Sequence, residues 1–172
     1  MKLRKMLAIG FVVLGAFLAV QLAAGSHPPN NSSIFEFTTM APVTRPYTGT
    51  TNPIRGVPGG GLPWTISSAK GELKTDGKLE IKVTGLVLAD DPAVPVALRL
   101  TNPIPFFRAT VSCLSIDSNT QPTTVNVSTD AFPASPSGDS SIETTVSLPT
   151  PCFAPIVFVT SPTGAWFAVT GN

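Results

Sequence analysis

The chain has 172 residues, a formal net charge of +1 and only 12% charged side chains. This balance provides neither a basic field that would hold nucleic acid nor an acidic tail, so no nucleic-acid partner is expected. The length favours one domain. The 18 prolines and 14 glycines, with abundant Ser and Thr, indicate turns and strands rather than long helices.

Residues 1–25 have the pattern of a secretory signal peptide. Basic side chains such as Lys2 and Lys5 precede an apolar run over residues 6–20, and small residues at 23–25 provide a cleavage site. The run is also nearly long enough to span a bilayer, which leaves an uncleaved membrane anchor as the alternative. We therefore expect a secreted protein of the extracellular space or the cell envelope. It would touch a membrane only if this segment is retained.

Residues 26–63 have the composition of a linker. They hold seven prolines and a run of three glycines, and such segments stay extended or flexible. Residues 34–37 are an exception, because they alternate apolar and polar side chains and can dock as an edge strand. Ile54 and Val57 can also lie against the domain. The sequence predicts a partly docked linker, followed by a folded domain over residues 64–172.

The first predicted hairpin runs from Trp64 to Leu86 around the turn at residues 75–77. A three-residue loop with Gly77 left-handed closes a bulge and places Leu73 opposite Leu79, whereas a two-residue loop would place a charged residue there. The same register pairs Ala69 with Val83 and turns Lys78, Glu80, Lys82 and Thr84 towards solvent. This sheet is therefore expected to have one wet face.

A central strand is predicted over residues 106–115. Its inward face consists of Phe107, Ala109, Val111 and Cys113. A second alternating run at 96–101 lies upstream, and the two prolines at 102–105 favour a hairpin loop between the runs. Closing that hairpin places the apolar partners of both runs on one face.

The same register places Arg99 opposite Arg108 on the outer face, next to Phe106. Like charges in this position repel each other, so a compensating group is expected. It is either an acidic side chain, such as Glu143 or Asp117, or an anionic ligand that the guanidinium groups hold bidentately. Arg99, Arg108 and Phe106 are therefore the candidate ligand-binding residues.

Four further strands are predicted at residues 123–128, 140–148, 154–160 and 165–170. Residues 156–159 are apolar on both faces, which places that strand in the middle of a sheet or under another segment. The total is about eight strands with no helical period. We therefore expect an all-β fold, a two-sheet antiparallel β-sandwich that is immunoglobulin-like in the loose sense.

Cys113 and Cys152 are the only cysteines, and export favours a disulfide between them. The alternatives are two free thiols or a metal site. Zinc requires about four ligands, and the chain has no third cysteine and a single histidine, His27, in the linker. No cofactor is expected.

Four segments of the chain resemble small secreted hypothetical proteins of soil bacteria of an actinobacterial kind. These segments are residues 56–64, 85–88, 106–113 and 155–171, and the resemblance extends over residues 54–172. It implies secretion. It carries over no activity and no site residue.

The function expected from the sequence is a non-enzymatic module, structural or binding, with an unknown envelope or extracellular partner. With His27 as the only histidine, mechanisms that need an imidazole base beside a nucleophile have none in the domain. A carbohydrate hydrolase that uses two carboxylates remains an alternative. A secreted inhibitor with a rigid loop at residues 148–153 is another.

Two weaker ligand sites have competing structural interpretations. Acidic loops at residues 90–91 and 117–119 supply oxygens for calcium, but such residues are also ordinary in turns. Trp64, Trp166 and Tyr47 are candidates for a sugar-stacking platform, although buried core tryptophans are commoner.

Overall fold

The computed structural model of the protein describes residues 31–171. The predicted signal peptide, its anchor alternative and His27 therefore lie outside the described residues. Over residues 31–171, no helix has the length and apolar character needed to cross a bilayer.

The described chain is all-β and folds as an antiparallel sandwich of two main sheets. The first sheet has four strands in the order β1-β4-β5-β10, and the second has the order β2-β12-β11-β7-β8 with β9 also paired to β7. A two-stranded ribbon, β3-β6, completes the fold. The strands are β1 (Ser33–Phe37), β2 (Ala41–Pro42), β3 (Trp64–Thr65), β4 (Ser68–Lys74), β5 (Lys78–Thr84), β6 (Val87–Leu88), β7 (Phe106–Ile116), β8 (Pro122–Ser128), β9 (Phe132–Pro133), β10 (Ser140–Thr145), β11 (Phe153–Thr160) and β12 (Trp166–Val169).

The predicted sandwich is thus confirmed, with twelve strands in the described range rather than about eight. Four of the twelve, β2, β3, β6 and β9, contain only two residues. A two-residue strand is too short for alternation to reveal it.

The core lies between the two sheets and is a single cluster of buried apolar side chains. The inward face of β7 is the one predicted, since Phe107, Ala109, Val111 and Cys113 are all fully buried. At one end, the Phe167 ring stacks on Trp64 with ring centroids 3.9 Å apart, and Phe107 meets both rings edge-on. Such edge and stacked contacts add to the stabilisation from area burial alone.

The β4-β5 hairpin has the predicted register. Leu73 pairs with Leu79 and Ala69 with Val83, and Gly77 has a left-handed φ of 85°. A Cβ atom at Gly77 would also overlap the carbonyl oxygen of Val146. Glycine is therefore required at this turn both by the left-handed φ and by the close approach of the backbone at Val146.

The predicted hairpin between residues 96–101 and β7 is wrong. Val96–Leu98 is a short 3₁₀ helix, and Val96 is 77% exposed. The edges of β7 are taken by β8 and β9 on one side and by β11 on the other. The side chain of Asn102 fixes the following chain as a loop, because it accepts a hydrogen bond from the Ile104 amide and donates to the carbonyl oxygens of Ile104 and Ser135.

Much of the predicted linker is packed against the sandwich. Strand β1 pairs with β4, as expected for residues 34–37, and Met40, Val43 and Val57 are buried. Residues 43–63, which we name the covering segment, continue along the edge of β12 beyond its pairing with β2, where the Gly60 amide donates to the Trp166 carbonyl oxygen (2.8 Å). Docking therefore extends beyond the parts of the linker for which the sequence predicted it.

The covering segment then crosses the outer face of the six-stranded sheet. Arg55 donates to the carbonyl oxygens of Ser112 and Ala154, and its own carbonyl oxygen accepts from the Asn126 amide group. Phe158 lies on this outer face, yet it is fully buried. Strand β11 was predicted to lie either in mid-sheet or under another segment, because it is apolar on both faces. Both are true, since β11 lies between β12 and β7 and the covering segment crosses its outer face.

The disulfide between Cys113 and Cys152 is present, and it closes a loop with a sequence separation of 39. It ties β7 to the residue before β11. The Ser115 hydroxyl donates to the Pro151 carbonyl oxygen beside it (2.8 Å), so the loop entering β11 is held at two neighbouring points.

Candidate binding face

The two arginines predicted to face each other are separate, because the hairpin that would pair them does not form. Arg99 donates to the Val94 carbonyl oxygen and makes an ion pair with Asp90 at 3.1 Å. Arg108 donates to the carbonyl oxygens of Thr129 and Pro162. Each guanidinium group therefore holds its own loops, and the compensating groups are not the ones that the sequence suggested.

Phe106, the third predicted ligand residue, is 44% exposed. It pairs with Pro133 at the short β7-β9 contact. It lies on the same face of β7 as Arg108, but Arg99 does not join them. The predicted three-residue ligand site is not assembled as proposed.

The residues of the other candidate sites have structural roles rather than forming ligand sites. Trp64 and Trp166 are buried, and only Tyr47 is exposed, with its ring 6.5 Å from that of Trp166. Asp117 accepts hydrogen bonds from two backbone amides of its own turn. Asp91 accepts one from the backbone amide of Ala93. Among the residues that the structure describes, no group of three or more His, Cys, Asp or Glu side chains could hold a metal ion.

Every glutamate of the chain, and every lysine after Lys5, lies on the outer face of the four-stranded sheet. They are Glu36 on β1, Lys70, Glu72 and Lys74 on β4, Lys78, Glu80 and Lys82 on β5, and Glu143 on β10. Alternation places them opposite the buried side chains of the same strands. We name this surface the charged face.

The glutamates form one row across all four strands. Glu36 pairs with Glu72, Glu72 with Glu80, and Glu80 with Glu143. Like charges directly opposite each other destabilise a sheet. Two lysines near the hairpin turn offset this, since Lys74 lies 3.6 Å from Glu72, and Lys78 lies 2.6 Å from Glu80 and 3.8 Å from Glu143.

The contact between Lys78 and Glu80 shifts the pKa values of both side chains. The hydrogen bond from Lys78, and then its charge, lower the pKa of the Glu80 carboxyl below the ordinary value of a glutamate, and the same contact raises the pKa of Lys78. The lowered pKa of Glu80 means that its carboxylate stabilises the folded protein. This stabilisation is fully present above the pKa of Glu80 in the unfolded chain, and it is lost as the pH falls through the lower pKa of Glu80 in the folded protein. Lys78 contributes below its unfolded pKa, and that contribution is lost as the pH rises through its folded pKa.

We expect Lys78→Gln to raise the pKa of Glu80 towards the ordinary value, because the variant removes the principal hydrogen bond and the nearest positive charge. Carbon-detected NMR titration of the glutamate carboxyl groups measures this. Lys82→Gln, on the same face of the same strand, is the matched control and should leave the Glu80 pKa unchanged. Equal shifts in the two variants would contradict the assigned pairing.

The other two lysines of the charged face have no such partner. Lys70 and Lys82 are directly paired across β4 and β5. Over residues 31–171, neither ammonium group has a carboxylate within 4.0 Å. Both are exposed, and we name them the lysine pair.

Hydroxyl side chains surround the lysine pair. Ser141 of β10 is the strand neighbour of Lys82, and Ser68 pairs with Thr84 one row further along the same two strands. Thr38, just beyond β1, lines the same surface. The lysine pair therefore stands among neutral hydrogen-bonding groups on one side and the glutamate row on the other.

Two shallow depressions meet at the lysine pair. One, of about 450 Å³, lies over the glutamate row and is lined by all four glutamates as well as by Lys70 and Lys82. The other, of about 390 Å³, is lined by Thr38, Ser68, Ala69, Lys70, Lys82 and Thr84. A third, of about 410 Å³, lies beside the disulfide, and Asp76 is the one acidic residue in its lining.

Part of this surface was visible in the sequence. The outward positions of β5 were predicted to face solvent, and the runs at residues 70–74 and 78–82 both read Lys-x-Glu-x-Lys. The row across four strands was not predicted, because it depends on which strands lie beside the hairpin.

Comparison of the chain with protein-family models, with characterised proteins and with solved structures gives no match.

Proposed function

We propose that the protein is an exported, non-enzymatic binding module that holds an extracellular or envelope partner on the charged face. The observation that carries the proposal is the segregation of side chains. Every glutamate, and every lysine after Lys5, lies on the outer face of one sheet. The Arg and Asp side chains over residues 31–171 lie outside these strand positions, mostly in loops where several of them bind backbone groups, so this one face gathers eight charged side chains.

Export is supported by two independent features. Residues 1–25 have the signal-peptide pattern, and the disulfide between Cys113 and Cys152 is of the kind that persists in oxidising compartments.

The hydrolase alternative is weakened at Glu80, which lies in the middle of the glutamate row. A glycosidase acid must keep its proton near neutral pH, so its pKa is raised. Lys78 instead lowers the pKa of Glu80, the glutamate that pairs with two others of the row. Glu80 is therefore suited to remain a carboxylate that makes contacts rather than to donate a proton.

The inhibitor alternative would need a loop that stands out from the body. Within the loop 148–153, only Thr150 and Phe153 are exposed, and the other four residues are half-buried. The loop lies against the end of the sandwich, which gives it little surface to insert into an enzyme.

The proposal is tested by measuring retention of the full chain on a defined panel of polymers. The panel contains insoluble peptidoglycan, chitin and cellulose, and immobilised poly(glycerol phosphate), heparin and polygalacturonate. A neutral-face variant carries Gln at all four lysines and all four glutamates of the charged face, so the net charge of the protein does not change. The control carries Thr124→Gln and Asp130→Asn, at exposed positions away from the charged face.

We expect the wild type and the control to bind at least one polymer of the panel with equal affinity. The neutral-face variant should bind that polymer at least tenfold more weakly while it unfolds at a similar temperature. Retention of the neutral-face variant at wild-type affinity would refute the proposal. So would a wild type that binds no polymer of the panel.

A further inference from the structure

We infer that the lysine pair is an anion site that takes a phosphodiester group of a sparsely charged extracellular polymer. The inference rests on the proposed function, because it specifies the ligand of the same face. The four lysines of the charged face differ in their partners. Lys74 and Lys78 are engaged by glutamates within 4 Å, whereas Lys70 and Lys82 face each other and have no carboxylate at that distance.

Two directly opposed ammonium groups repel each other in the free protein. Their Cβ atoms are expected to lie about 4.5–5.5 Å apart, the spacing of a cross-strand pair. An anion placed between them relieves this repulsion and contacts both groups. Binding is therefore favoured at this pair more than at the two lysines whose charge is already offset.

The surrounding groups suit the oxygens of a phosphate. Lysine binds phosphate as a point charge, with three donors that can rotate. The hydroxyls of Thr38, Ser68 and Thr84 line the depression on this side, and each can donate one further hydrogen bond. The remaining residue of this lining is Ala69, so no negatively charged side chain lines that flank.

The glutamate row limits how much negative charge the ligand can carry. It lies two residues further along each strand, which corresponds to about 6.6–6.8 Å. This is less than the Debye length of about 8 Å at physiological ionic strength, so a second anionic group above the row is repelled. A polymer with one phosphodiester per repeat and neutral groups between avoids this repulsion when it runs across the strands, along the row that holds Lys70, Lys82 and Ser141. A densely sulfated chain does not.

The test measures binding of soluble poly(glycerol phosphate), heparin and polygalacturonate to the full chain by affinity electrophoresis and isothermal titration calorimetry. The test variant is Lys70→Gln with Lys82→Gln. The matched control is Lys74→Gln with Lys78→Gln, which removes the same net charge from the same two strands. Light scattering of each protein reports its oligomeric state.

We expect the wild type to bind poly(glycerol phosphate) in preference to heparin, with an affinity that falls as salt is added. The test variant should bind about tenfold more weakly, since it loses two charge contacts of an exposed kind. The control should lose less than threefold.

Three outcomes would overturn the inference. The first is equal weakening in both variants, and the second is preferential binding of heparin or polygalacturonate. The third is a dimer that only the test variant dissociates, because the glutamate row of a second copy would then occupy the lysines. If the neutral-face variant loses a polymer that the test variant still binds at full affinity, the anion site is refuted while the proposed function stands.

Discussion

Replacement of both Cys113 and Cys152 by alanine is expected to lower the free energy of unfolding by about 4 kcal/mol. The crosslink closes a loop with a sequence separation of 39, and the chain-entropy model gives about this value for a loop of that length. Urea unfolding followed by tryptophan fluorescence measures the change. The loss is a large part of the 5–15 kcal/mol of a typical domain, so the variant should unfold at a much lower denaturant concentration.

Reduction of the wild-type protein is the control for this prediction. It removes the crosslink without removing the sulfur atoms from the core, so it separates chain entropy from packing. We expect most of the 4 kcal/mol to be lost on reduction alone. A change of less than about 1 kcal/mol in both experiments would contradict the stabilising role assigned to the disulfide.

Phe107→Ala is expected to cost about 3–5 kcal/mol, the usual range for a buried phenylalanine. The side chain is fully buried and makes edge contacts with both Trp64 and Phe167. Its truncation leaves a cavity at the aromatic end of the core, between rings that the β-strands hold in place. The same urea experiment gives the loss of free energy.

Phe106→Ala provides the comparison, because Phe106 directly precedes Phe107 on β7 and points to the other face. At 44% exposure it should change stability by only about 0.5 kcal/mol. The two variants thus test which face of β7 points into the core, by comparing two consecutive residues of the strand. Similar losses for both would mean that the strand does not turn Phe107 inward.

Alternation predicted the parts of the fold in which one strand face is buried and the other is wet. β7, the β4-β5 hairpin with its Gly77 turn and the side from which Cys113 reaches the core were all obtained in this way. These features depend on neighbours in sequence or on a single pairing. Local pattern is enough to specify them.

The same reasoning failed at residues 96–101, where apolar and polar residues also alternate. Alternation indicates that two faces differ, but it does not show that either face is buried. Val96 and Leu100 are in fact largely exposed, and Leu100 has a left-handed φ of 56° that no strand contains. The edges of β7 were taken by segments further along the chain, which the local pattern could not reveal.

The candidate face was only half predictable for a related reason. The Lys-x-Glu-x-Lys runs identify an outward stripe on β4 and β5, but Glu36 and Glu143 join the row only because β1 and β10 lie beside them. Strand order is a property of the assembled sheet. The strands themselves were predicted, but their order in the sheet, with β1 beside β4 and β10 beside β5, was not.

The covering segment changes where this protein can be divided. A chain trimmed to begin at Trp64, where composition suggests that folding starts, would lack the edge strand next to β4. It would also leave Phe158 and Trp166 without the layer above them. Such a fragment would present fresh apolar surface to water and should self-associate during purification. The smallest autonomous unit for recombinant work therefore starts ahead of Ser33, inside what looks like a spacer.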